Sequence, residues 1–133
     1  MDIASSAVPP AVTGTICILD DDAAMLRAID RLLSSGGLEA QLFSDPLGFL
    51  AYAKSHSVGV AVIDVWMPGI SGLQVKEKLQ TISPKTRVVI ITANEDDLVR
   101  NQAMQGGTVA FFVKPFDNGE FLAAVYQAMA SAT

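Results

Sequence analysis

The chain is 133 residues long, half of them hydrophobic, with a formal net charge of -5 and one cysteine. That length suits a single domain burying roughly two-thirds of its unfolded surface, and the apolar content argues against general disorder. Net acidity disfavours sequence-independent nucleic-acid binding, a lone thiol excludes an internal disulfide, and no apolar run approaches the roughly 18 residues of a membrane span. The first 13 residues lack a basic stretch and carry Pro9-Pro10. They are expected to be a flexible lead-in (1–13) to one domain, 14–131, with the cytoplasm as the default compartment.

Taken in chain order, the apolar run 16–19 predicts a buried strand ending in three consecutive carboxylates, Asp20, Asp21 and Asp22. Cys17 falls within it as a buried, inert thiol. Met25, Ile29, Leu32 and Leu33 recur at helical spacing, and Gly36-Gly37 stops that helix. A short strand follows over 39–43. Ser44-Asp45-Pro46 supplies a cap and a first-turn proline for a helix over 47–54. Lone His56, in a polar helix end, is expected to be an exposed bystander. The apolar run 58–63 is a third strand, and it delivers Asp64. After a Pro68-Gly69 turn, Val75, Leu79 and Ile82 mark a third helix, closed by Pro84. The run 87–91 is a strand that ends at Thr92. Asn94 is placed to cap a helix reaching to Gln105, with Asp96 and Asp97 as first-turn acids favoured by the helix dipole. The last strand, 109–113, ends at Lys114. Asp117 and Glu120 form a capping pair for a final helix with Leu122, Val125 and Met129 inward.

Five strands alternating with five helices predict an α/β fold, a doubly wound five-stranded parallel sheet with right-handed crossovers. Ligands of such sheets bind beyond the carboxyl ends of the strands, where Asp20, Asp21, Asp64, Thr92 and Lys114 all fall. Packed carboxylates repel: two unit charges about 4 Å apart cost roughly 4 kcal/mol at an effective dielectric near 20. The cluster persists if it is solvated, if one member protonates, or if a divalent cation neutralises it. Periodicity leaves the strand order open.

The segments Leu19-Asp20-Asp21-Asp22, Asp64 through Trp66, Met67 and Pro68 to Gly72, Thr92-Ala93, and Lys114-Pro115-Phe116 stand in one order along the chain. Together they make it similar to the receiver domain of bacterial two-component response regulators, most like the receivers of LuxR-type regulators. The resemblance runs over about residues 14–131 and implies a flavodoxin-like (βα)5 sheet of order 2-1-3-4-5. It implies a phosphoacceptor signalling domain that takes a phosphoryl group from a sensor histidine kinase onto Asp64, a carboxylate nucleophile. Mg2+ (or Mn2+) is the implied cofactor, with Asp21 a direct ligand, Asp20 acting through water, and the main-chain carbonyl of Trp66 a further ligand. Lys114 would neutralise developing charge, Thr92 would offer a hydroxyl to a phosphoryl oxygen, and Phe111 holds the switch-aromatic position. The implied cis Lys114-Pro115 bond would aim the ammonium at the site. Asp22 is left as a helix cap.

The same resemblance implies a partner-binding face built from the fourth helix, fifth strand and fifth helix, a downstream effector domain or protein, and a phosphorylation-dependent dimer. It implies no direct nucleic-acid contact by this domain and no membrane. It also implies no turnover of an external substrate, although such domains catalyse their own phosphorylation and dephosphorylation. A hydrolase of the haloacid dehalogenase type would need an aspartate where Trp66 stands, and a docking-only pseudo-receiver would not need the intact acidic, hydroxyl and ammonium set. Trp66 is bulky for its place, and Asn94 lies two positions past Thr92; both flank the path of the hydrolytic water in the family. The chain ends just after its last helix without an output domain, as a receiver excised from a longer regulator would.

Overall fold

A computed structural model describes residues 14–130; the predicted lead-in, 1–13, and residue 131 lie outside it. The strands are β1 (Thr15–Leu19), β2 (Ala40–Phe43), β3 (Val58–Asp64), β4 (Arg87–Thr92) and β5 (Thr108–Val113). They form one parallel sheet in the order β2-β1-β3-β4-β5, as the resemblance implied. Every residue of central β3 is buried, which is why its sequence is apolar without alternation.

The helices are α1 (Ala23–Ser35), α2 (Pro46–Ser55), α3 (Gly72–Ile82), α4 (Asp97–Ala103) and α5 (Asn118–Ala130). Because successive strand residues point to opposite faces, the sheet divides two apolar cores. Cys17, Leu19, Ala61 and Ile63 pack against Phe49, Val75 and Ala103 of α2, α3 and α4. Ile16, Ile18, Val60 and Val62 pack against Ile29, Leu33, Phe121 and Val125 of α1 and α5. Among the described residues, no helix is long and apolar enough to cross a membrane.

Local signals set most boundaries. Asp22 caps α1 by accepting from the Ala24 and Met25 amides, and Gly37, at φ +82, turns the chain out of that helix. The Asp45 carboxylate accepts from the Gly48 amide ahead of α2. Asp117 accepts from the Glu120 amide at the start of α5. His56 is exposed, with its ring 4.0 Å from that of Tyr52.

Two expectations need correction, both in helix α4. Helix α4 is capped by Asp96, not Asn94, because the Asp96 carboxylate reaches the Leu98 amide at 2.9 Å and the Val99 amide at 3.3 Å. It ends at Ala103, short of Gln105. In α1 the fully buried positions are Leu26, Ile29 and Leu33, with Met25 and Leu32 on the partly buried flanks. In α5 they are Phe121, Val125 and Ala128, again with Leu122 and Met129 flanking. In both helices the apolar stripe is wider than its buried centre, so spacing alone does not locate the centre.

Candidate functional site

Strand register assembles the site. Leu19 of β1 pairs with Ile63 of β3, so the residues that follow, Asp20 and Asp64, leave the sheet side by side. Asp64 pairs with Ile91, and Thr92 with Val113, which brings Thr92 and Lys114 to the same edge. Asp20, Asp21 and Asp64 each offer a carboxylate oxygen, and these lie within 4.8 Å of one another. The Lys114 Nζ sits 3.2 Å from Asp20 Oδ2 and 3.3 Å from Asp64 Oδ1.

The three carboxylates are not equivalent. Asp20 is 0% exposed, and its other oxygen accepts from the Asp22 amide at 2.9 Å, so it is fixed at both ends. Asp64 is 3% exposed, whereas Asp21 is open to solvent. Burial, then repulsion from Asp20, pushes the Asp64 carboxyl up to about 6, although Lys114 offsets part of this. For Lys114, burial pulls the ammonium down, but Asp64 and Asp20 outweigh it and the net shift is upward. One ammonium therefore faces three acids. The donors are all oxygen, and the surplus negative charge suits a small hard divalent cation such as Mg2+.

The surroundings hold these groups in place. The Lys114-Pro115 bond is cis, and the Lys114 amide donates to the Thr92 carbonyl at 2.8 Å. Phe116 stacks on buried Phe121, anchoring the loop that carries the lysine. Behind Asp64, the Gly72 amide donates to the Val65 carbonyl at 2.8 Å. A Cβ at Gly72 would overlap the Asp64 carbonyl oxygen and lie 2.8 Å from its carbon. Only glycine lets α3 start this close to the strand that carries Asp64. Ser71 and Gln74 close a capping box on the same helix, which the sequence reading had passed over.

Thr92 is fully buried, and its hydroxyl is engaged with the adjoining loop: it donates to the Asn94 carbonyl at 3.2 Å and accepts from the Asn94 amide at 3.3 Å. Phe111 is partly buried, under the Arg100 guanidinium at 5.2 Å. Arg100 was not singled out from sequence, since nothing local pairs it with a residue eleven positions on. Trp66 is 49% exposed.

The family model described as the response regulator receiver domain matches residues 16–126. The response regulator protein TodT of Pseudomonas putida is 36% identical over 114 residues, which cover 86% of this chain and 50% of TodT. The transcriptional regulatory protein FixJ of Bradyrhizobium diazoefficiens is 34% identical over 119 residues, covering 90% of this chain and 58% of FixJ. The chain thus spans about half the length of these curated relatives. Among solved structures, a CheY-like receiver domain protein from Methanospirillum hungatei superposes with a TM-score of 0.83 at 21% identity. That alignment covers 90% of this chain and 95% of the other, and it bears on the fold alone. A strand edge that gathers Asp20, Asp21, Asp64, Thr92 and Lys114, inside a region matched almost end to end, places this chain in the response regulator receiver domain family.

Proposed function

We propose that Asp64 is the acceptor of a phosphoryl group delivered by a sensor histidine kinase, in a Mg2+-dependent transfer that alters how this domain binds its partners. The observation that carries the reading is the pairing of one buried carboxylate, Asp64, with Lys114 at 3.3 Å and two further acids beside it. In the transfer, an Asp64 oxygen attacks phosphorus, the bond from phosphorus to the donor nitrogen breaks, and an acyl phosphate remains. Bound Mg2+ would neutralise the phosphoryl oxygens, held by Asp64, by Asp21 directly, by Asp20 through water and by the Trp66 carbonyl. Lys114 counters the charge that develops on those oxygens. Receiver domains of response regulators are signalling domains rather than substrate-turnover enzymes, which agrees with a site that spends its nucleophile on its own modification.

Incubation with acetyl phosphate and Mg2+ should add one phosphoryl mass, labile to hydroxylamine. Asp64→Asn should abolish it. A variant that keeps the mass shift overturns the assignment.

For the response, Thr92 would exchange its Asn94 contacts for an oxygen of a phosphoryl group that carries about -1.5 to -2 charges in all. Phe111 would then turn into the space vacated. Leu98, Met104 and Val109, all exposed on or beside α4 and β5, support an effector or dimer surface there. Half-exposed Trp66 should report occupancy through its fluorescence and slow the attacking water. Trp66→Asn should shorten the phosphoryl lifetime about threefold, less than 1 kcal/mol of barrier; equal lifetimes would leave the indole without influence.

A further inference from the structure

Helix α4 is held most deeply at its C-terminal end; nearer its start, Val99 packs against the core only in part and Arg100 lies over Phe111. The sole fully buried residue of α4 is the last, Ala103, whereas residues 93–98 leading into and opening it are all exposed. The fastening comes from α3. Lys76 is 3% exposed, an unusual place for an ammonium. Its Nζ donates to the carbonyls of Gln102, Ala103 and Gln105 at 3.2, 3.0 and 2.7 Å. These belong to the last turn of α4 and the turn that follows, where a helix runs out of backbone donors for its carbonyls; of the three, the Gln102 carbonyl also accepts from the Gln105 amide at 3.4 Å. All three ammonium protons are thereby used.

One turn further along α3, Gln80 closes on the same segment. Gly106 has φ +69, and a Cβ there would overlap the Gln80 Nε2 and lie 2.8 Å from its Cδ. Residues four apart share a helix face, so Lys76 and Gln80 form one grip. Along the same helix, Gly72 packs against the Asp64 main chain. The helix that abuts the acceptor strand is therefore the helix that holds the end of α4. The opposite end of α4 follows directly from the Thr92–Asn94 contacts.

We propose that α4 is a lever hinged at its C-terminal end, with the Lys76 ammonium as the pin, so that displacement at the Thr92 end becomes a swing rather than a shift or a melting of the whole helix. The direction of drive rests on Asp64 phosphorylation; the hinge itself does not. Replacing Lys76 by methionine keeps an unbranched stem as far as the ε-carbon, removes the ammonium and takes one donor from each of the three carbonyls.

The test is amide hydrogen exchange on the full chain, with and without acetyl phosphate and Mg2+. In the unphosphorylated wild type, amides 103–105 should exchange at least about tenfold more slowly than those of 97–99, a gradient that Lys76→Met should abolish. With the donor, exchange in the wild type should change over 93–100 and stay unaltered over 103–105. In Lys76→Met the change should spread through residue 105. The hinge is overturned if wild-type amides 103–105 respond as strongly as 97–100, or if Lys76→Met leaves the gradient intact. If the variant does not fold, the wild-type gradient and response decide alone. Should no phosphoryl mass be taken up, the acceptor reading fails, while the gradient in the two unmodified proteins still decides the hinge.

Discussion

Gly72→Ala is expected to lose about 3 kcal/mol or more of folding stability. The new methyl would overlap the Asp64 carbonyl oxygen, lie 2.8 Å from its carbon and 2.9 Å from Ile63 Cγ2. Those atoms belong to the fully buried central strand, so they cannot move aside as a surface side chain would. Overpacking a closed core typically costs 1–3 kcal/mol, and backbone on backbone lies at the upper end. In a domain of this size that is a fall of roughly 10 °C in the melting temperature. The Gly72–Val65 hydrogen bond that starts α3 would go with it. Phosphoryl uptake should fall further than stability, since the strained strand is the one that presents Asp64. A melting temperature within about 2 °C of wild type would mean that α3 moves away freely, and that its close approach to β3 does not matter.

Mg2+ should stabilise the folded chain, and do so only when Asp64 is ionised. A ligand at 100 times its dissociation constant adds about 2.7 kcal/mol. Asp21→Ala should remove that magnesium-dependent rise in melting temperature, and it should make the metal-free protein no less stable, because a repelling charge has gone. The pH dependence has a definite sign. The Asp64 carboxyl is held at about 6, above its ordinary 3.8, so the metal-free native state disfavours its charged form. Its contribution to stability is greatest below the ordinary carboxyl value and is lost as the pH rises through about 6. The loss is about 2 kcal/mol once water on the open side of the pocket is allowed for. Mg2+ reverses that trend by favouring the ionised form. The stabilisation by Mg2+ should therefore be large at pH 7.5 and nearly gone at pH 5. Equal magnesium responses at the two pH values, or in Asp21→Ala, would remove the acidic cluster as the metal site.

The parts of the fold that could be read from the chain are those fixed by short-range rules. Strands announce themselves because β3 and its neighbours are buried on both faces and cannot alternate. Caps such as Asp22 and Asp45 were legible because a carboxylate before an apolar stripe has few other uses. The strand-end carboxylates were legible for the same reason. What stayed hidden needs the third dimension. At the start of α4, Asn94 reads as the cap and Asp96 as a first-turn acid, and only the bonds from the Leu98 and Val99 amides show that Asp96 is the cap. Lys76 looks like one more polar residue on an exposed helix face; only the arrival of the α4 carbonyls shows where its ammonium goes. Gly72 looks like a turn residue, and its closeness to Asp64 depends on how α3 is set against the sheet. The Arg100–Phe111 contact depends likewise on where α4 lies over β5.

Asp20 and Lys114 stand 94 positions apart, yet an ion pair joins them across the site. A ribosome delivers the first partner long before the second. The acids gain their counter-charge only when β5 has been added to the far side of the sheet from β2. Any chain that stops before Lys114, or whose last βα unit has detached, carries Asp20 and Asp64 without their ammonium. The charge balance of the site thus depends on β5 having joined the sheet.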